Sequence, residues 1–167
     1  MIAASIVSDR LVLMSMVRED IADLARIASD ESIFRYIPDI VLPFDAGRWT
    51  RSMLADEGQC IRHILRLRKT FEPAGFVQVG RRRNAGLQLG YFLARSHWGR
   101  GYAREACASA LDLIHAHGIS GPVHAAVHRE NPASMRVLAQ LGFQPVPSSP
   151  TVAGLHPDMI DHVRQRV

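Results

Sequence analysis

The run Ser96-His97-Trp98-Gly99-Arg100-Gly101-Tyr102-Ala103-Arg104-Glu105-Ala106 decides the reading of this chain, because it joins an apolar strand to a long amphipathic helix through a glycine-broken turn. From Ala103 onward the small or apolar residues Ala103, Ala106, Cys107, Ala110, Leu111 and Ile114 recur at the three-four spacing that gathers them on one helix face. Arg104, Asp112 and His115 fall off that face, so it is the buried one.

The helix carries no side-chain cap in its sequence. A helix start leaves four backbone N–H groups without partners, and Ser, Thr, Asp or Asn usually supplies the remedy. Gly99, Arg100 and Gly101 stand there instead. Two glycines allow a tight turn and close approach of a ligand, and N–H groups converging at the positive end of a helix dipole suit a phosphate. An ordinary tight connection between strand and helix fits the same residues, and the loop alone leaves both readings open.

The kinds of phosphate cradle differ in detail. A nucleotide P-loop needs a glycine, four residues, then Gly-Lys-Ser/Thr; nothing matches, and Lys69 is the sole lysine. A dinucleotide fingerprint needs a third glycine where Arg104 stands and an acidic residue at the end of the next strand. That region reads Gly121-Pro122-Val123.

Working outward, four motifs come in order: Leu89-Gly90-Tyr91-Phe92-Leu93, then Trp98 to Ala106, then Asn131-Pro132-Ala133-Ser134-Met135-Arg136-Val137-Leu138, then Leu141-Gly142-Phe143. Together they resemble the GNAT superfamily of acyl-CoA-dependent N-acetyltransferases, and within it the Rim-type ribosomal-protein N-terminal acetyltransferases and their small-molecule relatives. Asp9-Arg10-Leu11-Val12-Leu13 and Arg35-Tyr36-Ile37-Pro38 extend the likeness toward the N-terminus.

The rest of the chain agrees with one α/β domain spanning residues 1–167, a mixed sheet flanked by helices. At 167 residues it is long enough for a sizeable core. A formal charge of +4 and a pI near 9.7 suit anionic partners without separating coenzyme A from nucleic acid or a ribosomal surface. No nucleic-acid reader motif or aromatic-basic platform appears. Cys60 and Cys107 make neither a disulfide framework nor a zinc site, and Cys107 reads as a buried thiol. No secretory leader and no bilayer-length apolar run is present, so the cytoplasm is the expected location and no membrane is expected. The oligomeric state stays open, with a homodimer among the options.

Periodicity predicts strands over Arg10–Met16, Phe76–Val79, Leu87–Leu93, Val123–Val127 and Met159–Val163, and helices over Glu19–Ser29, around Trp49, Met53 and Leu54, and over Asn131–Gln140. Ile61–Leu67 alternates with one slip, as an edge or bulged strand does. Arg81-Arg82-Arg83-Asn84 reads as a solvated hairpin tip, and Gly90 inside a strand signals a bulge or a close backbone approach.

The resemblance implies acetyl-CoA as co-substrate. Main-chain groups of Tyr91, Phe92 and Leu93 are then expected to pair with the pantetheine amides. Trp98, Gly99, Arg100, Gly101, Tyr102, Ala103 and Arg104 form the pyrophosphate cradle, and Asn131 reaches the pantetheine arm. By resemblance Ser134 is the candidate to serve the leaving sulfur, although helix capping explains Asn131 and Ser134 equally. Phe34, Tyr36, Phe44 and Trp49 are candidates for the acceptor pocket, or simple core. Transfer to an amine also needs a proton acceptor. Many family members carry a glutamate two residues before the Gly-Tyr pair, where this chain has Gln88, an amide grouped here with the acceptor contacts. His128 and Glu130 at the mouth of the next strand, or Asp158 and Asp161 in the tail, are the replacement bases. His124 and His128 share a strand face, but no HExxH or Cys/His cluster supports a metal. The expected activity is acetyl transfer to a protein N-terminus or a small amine. The alternative is a non-catalytic acyl-CoA-binding sensor or interaction module, motivated by Gln88.

Overall fold

A computed structural model describes residues 5–55, 61–81, 86–146 and 156–165. Cys60, the Arg82-Arg83-Asn84 part of the basic turn, and Pro147 and Pro150 lie outside the described residues. The strands are β1 Ser5–Val7, β2 Leu11–Ser15, β3 Ile61–Leu67, β4 Pro73–Arg81, β5 Leu87–Leu93, β6 Val123–His128, β7 Gln144–Pro145 and β8 Met159–Arg164. The helices are α1 Ile21–Ile27, α2 Ala46–Ala55, α3 Tyr102–Ala116 and α4 Pro132–Gln140.

All eight strands join one mixed sheet in the order β1-β2-β3-β4-β5-β6-β8-β7. Every pairing is antiparallel except β5 with β6, which run parallel because α3 carries the chain over the sheet between them. That parallel pairing covers only Leu87 opposite Val123 and Gln88 opposite His124. Beyond these two rungs β5 and β6 part company. β5 keeps full register with β4 as far as Leu93, and β6 with β8 as far as His128, so the sheet opens as a wedge between two well-paired halves.

The alternation of each strand sends one set of side chains to each face. On one face Val77, Val79, Leu87, Leu89, Val123, Ala125 and Val127 pack against the stripe of α3 formed by Ala106, Cys107, Ala110, Leu111 and Ile114, with Leu138 of α4 and Phe143. The helix face chosen by periodicity is thus the face that is buried. On the other face Ile64, Phe76 and Phe92 meet Leu24 and Ile27 of α1 together with Phe34, Phe44 and Trp49. Each fully buried Val, Leu, Ile or Phe side chain contributes about 1.5–3 kcal/mol. Arg66 ties α1 down, with Nη2 3.0 Å from Asp20 and 2.6 Å from Asp23.

Two expectations are refined. β3 is an inner strand between β2 and β4, not an edge; the slip in its alternation is a bulge between Leu65 and Arg66. Gly90 lies in regular register opposite Gln78, so no bulge occurs there. The atoms nearest a Cβ at Gly90 belong to the Gln78 side chain, with Nε2 at 3.2 Å, so the close neighbour there is a side chain and not the backbone expected. No helix of the described residues is long and apolar enough to cross a membrane.

Candidate active site

The turn before α3 adopts the conformation its glycines permit. Gly99 has φ 72°, and Gly101, the N-cap residue, has φ 79° and ψ 3°, both left-handed. No side chain caps the helix, and a Cβ on Gly99 would meet nothing within 4 Å. The leading N–H groups of α3 therefore face open space at the positive end of a 15-residue helix.

The turn between β1 and β2 holds this loop from behind. Arg10 donates from Nη1 to the Arg100 carbonyl at 2.8 Å, and its Nε lies 2.7 Å from Glu105 Oε2. The Arg10 N–H and the Ser8 hydroxyl both donate to Glu105 Oε1 at 2.8 Å. Burial pushes the Glu105 carboxyl up, but the hydrogen bonds from Arg10 and Ser8 and the Arg10 charge outweigh it and hold the group below its ordinary value. The Arg10 guanidinium also stacks over Tyr102, 4.7 Å from the ring centre. A groove of about 490 Å³ runs from Gly101 along the outer side of α3, lined by Ser8, Arg10, Arg104, Ser109 and Asp112. Trp98 anchors the other end: its Nε1 donates to the Leu93 carbonyl at 3.0 Å, with Arg95 stacked on the ring.

In the wedge, the edge of β5 from Leu89 to Leu93 faces away from β4 with no strand beside it among the described residues. Asn131 caps α4, its Oδ1 accepting from the Ser134 N–H at 3.1 Å. Ser134 in turn brings its hydroxyl within 2.7 Å of the Tyr91 phenol. The sequence placed these two residues on separate motifs; the fold joins them. Burial pushes the Tyr91 phenol well above its ordinary value, reinforced by nearby Cys107 and opposed by the bond to Ser134, so Tyr91 stays neutral. Burial alone pushes the Cys107 thiol up and leaves it unreactive.

The opposite face of the same strands is open. Gln88 sits in the middle of an eight-stranded sheet yet is exposed, with half-buried Gly80 and Gly90 near it. His124, its partner across the last β5–β6 rung, lies on this face, and so does Asp161 of β8. His124 Nδ1 is 2.9 Å from Asp161 Oδ2, with the aspartate side chain 6% exposed. His128 lies two positions along, its ring centre 5.2 Å from that of Tyr36, its Nδ1 accepting from the Glu130 N–H at 3.2 Å. Glu130 is exposed and Asp158 half-buried, and Asp158 pairs with Arg129 at 3.3 Å.

Phe34 is buried and Trp49 half-buried. Both belong to a continuous aromatic cluster with Phe44, Phe76 and Phe92, their ring centres 4.7–5.9 Å apart. Tyr36 is the aromatic that reaches the open face. His124 entered the sequence reading only as half of a metal pair; its alternation with His128 marked the face, while its partner 37 residues away gave no local signal. Among the described residues no group of three His, Cys, Asp or Glu side chains could hold a metal ion.

Residues 10–144 match the family model described as Acetyltransferase (GNAT) domain. An uncharacterized N-acetyltransferase, p20, of Bacillus licheniformis is 31% identical over 146 residues, covering 82% of this chain and 80% of that protein. Among solved structures, a GNAT-family acetyltransferase from Bacillus anthracis superposes with a TM-score of 0.80 at 18% identity, covering 96% of this chain and 98% of that one. The ribosomal L7/L12 alpha-N-protein acetyltransferase RimL gives 0.80 at 16% identity in its apo form, covering 99% and 95%. In complex with coenzyme A it gives 0.77 at 15%, covering 96% of each chain. At these identities the likeness is one of fold.

Proposed function

The chain belongs to the GNAT acetyltransferase domain family, and from that premise we propose that residues 1–167 act as one domain moving an acetyl group from acetyl-CoA to a primary amine, on a protein N-terminus or a small molecule. One observation carries the reading: the uncapped double-glycine start of α3 opens beside the wedge where β5 leaves β6. Such a pairing offers an anion cradle and an unpaired strand edge to one elongated ligand.

Acetyl-CoA supplies an activated thioester whose carbonyl carbon accepts the amine. The N–H groups from Gly99 to Arg104 hold its pyrophosphate, with Arg100 and Arg104 adding charge and Trp98 fixing the loop. Main-chain groups of Tyr91, Phe92 and Leu93 pair with the pantetheine amides, and an N–H near Phe92 steadies the oxygen that gains negative charge. Asn131 orients the start of α4, from which Ser134, bonded to the neutral Tyr91 phenol, passes a proton to the departing sulfur. The open face bearing Gln88, Tyr36, His128 and Glu130 receives the amine. The cytoplasm is the proposed location.

Thermal unfolding with and without acetyl-CoA tests the reading first. At a hundred times its dissociation constant a ligand adds about 2.7 kcal/mol to the folded state. Each kcal/mol moves the midpoint by roughly 2–4 °C in a chain of this size, so a shift of several degrees is expected with acetyl-CoA and none with ATP. An amine panel read by release of free coenzyme A follows. Absence of any acetyl-CoA shift would overturn the reading; tight binding with no release across the panel would leave a binding module in its place.

A further inference from the structure

We propose that His124, oriented by Asp161, is the group that takes the proton from the amine. This rests on the acetyl-transfer reading above. Attack requires a neutral amine, so a primary ammonium must first lose a proton to a group on the face it approaches. His124 stands on that face at the vertex of the wedge, on the last rung before β5 and β6 separate.

The pair has the arrangement the task demands. An ionised carboxylate only accepts hydrogen bonds, so with Asp161 Oδ2 at 2.9 Å the proton of a neutral imidazole resides on Nδ1. That leaves the lone pair on Nε2, while the hydrogen bond printed for this ring among the described residues is made by Nδ1. A buried acid that fixes the tautomer of a histidine and steadies its cation is the logic of the hydrolytic triads, here with an amine in place of the serine. Asp161 is therefore a positioning residue and His124 the catalytic one. Two longer histidine–carboxylate approaches among the described residues, His97 to Glu72 and His156 to Asp158, both stand at 3.8 Å, with carboxylate side chains 53% and 46% exposed.

The surroundings let the imidazole cycle. β5 contributes the uncharged Gln88 beside it, and β4 the uncharged Gln78 and Gly80 on the same face. β8 contributes Asp161, and β6 itself His128 two positions along. Arg62 of β3 shares the face three strands away, whereas His162 and Arg164 pair with Ala125 and Val123 and so lie on the face of α3.

The step balances. His124 Nε2 takes one proton from the ammonium and later gives it to solvent. The freed nitrogen pair forms the C–N bond as the C–S bond breaks, and the second proton leaves nitrogen for the sulfur through Ser134.

The test measures kcat/KM against pH for His124→Gln and Asp161→Asn, with acetyl-CoA affinity by calorimetry. His124→Gln is expected to lose about 100-fold near neutral pH, the deficit shrinking as pH rises and the amine deprotonates unaided. Asp161→Asn loses less, and both bind acetyl-CoA within about twofold of wild type. Undiminished kcat/KM in His124→Gln, or a loss independent of pH, would overturn the proposal. If no amine is acetylated at all, the acceptor reading fails and the dyad is judged by nitrogen NMR of the imidazoles with coenzyme A bound. In its neutral form the His124 ring must then show a protonated Nδ1 and a bare Nε2, and this must change in Asp161→Asn; a neutral ring with its proton on Nε2 would refute it.

Discussion

Replacing Gly101 by alanine separates the two things this residue does. Its φ of 79° places it in the left-handed region, where an L side chain costs about 1–2 kcal/mol. The added Cβ meets only Arg10 Nη2 at 3.3 Å, the far end of a flexible side chain, so little steric cost is added. Gly118, just past the other end of α3, provides the matched control: its φ is 69° and a Cβ there meets nothing within 4 Å. Both variants should therefore melt lower by similar amounts, about 2–8 °C at roughly 2–4 °C per kcal/mol. Acetyl-CoA affinity should separate them. In Gly101→Ala the loop relaxes by rotating the first N–H groups of α3 away from the cradle, and a loss of one charge-assisted hydrogen bond, about 1.4 kcal/mol, is tenfold in affinity. In Gly118→Ala the cradle is untouched and affinity stays within about twofold. Titration calorimetry on both proteins decides it. Equal acetyl-CoA affinity in the two variants, despite equal loss of stability, would show that the turn is only a connection.

Glu105 gives a pH signature. Its folded carboxyl lies below the ordinary value of 4.5, so it contributes stability above that pH and loses it as pH falls through and below it. Glu105→Gln should lack this part of the acid-induced fall in melting temperature, and an unchanged acid limb would refute the Ser8–Arg10–Glu105 clamp. Tyr91→Phe removes the hydroxyl 2.7 Å from Ser134 and should cost about 1 kcal/mol in urea unfolding. Ser134→Ala should lower kcat with little change in the KM for acetyl-CoA; wild-type kcat would remove Ser134 from the chemistry. Cys107 is 0% exposed with its thiol raised by burial, so peptide mapping after native alkylation should find it unmodified until the protein unfolds. Fast labelling of the native state would contradict the packing of α3.

Much of the fold is legible because it is written in short-range periodicity. The stripe of α3, the alternation of β5 and β6, and the Asn131 cap of α4 each depend on residues within four positions of one another. β5 spans Leu87–Leu93 as expected, and α3 begins one residue before Ala103. The weaknesses are those of a local reading. β1 and β7, three and two residues long, carry no period and exist only because a neighbour pairs with them. β3 shows an irregular pattern that suits an edge, yet it is buried between β2 and β4; the bulge that spoils its alternation leaves no mark of which strands flank it.

The sequence by itself determined the uncapped double-glycine turn. Two glycines and the absence of a cap at the head of an amphipathic helix are properties of consecutive residues, and glycine is the residue that readily adopts the left-handed conformation found there. It also determined that Gln88, an amide, cannot take a proton. Only the tertiary structure decided what answers that deficiency. His124 and Asp161 lie 37 residues apart, on strands whose antiparallel register brings them to one face and within 2.9 Å, and Tyr91 meets Ser134 only because α4 packs across the wedge. Strand register and helix packing are set by the collective burial of the core, and no stretch of chain short enough to show a pattern contains both members of either pair.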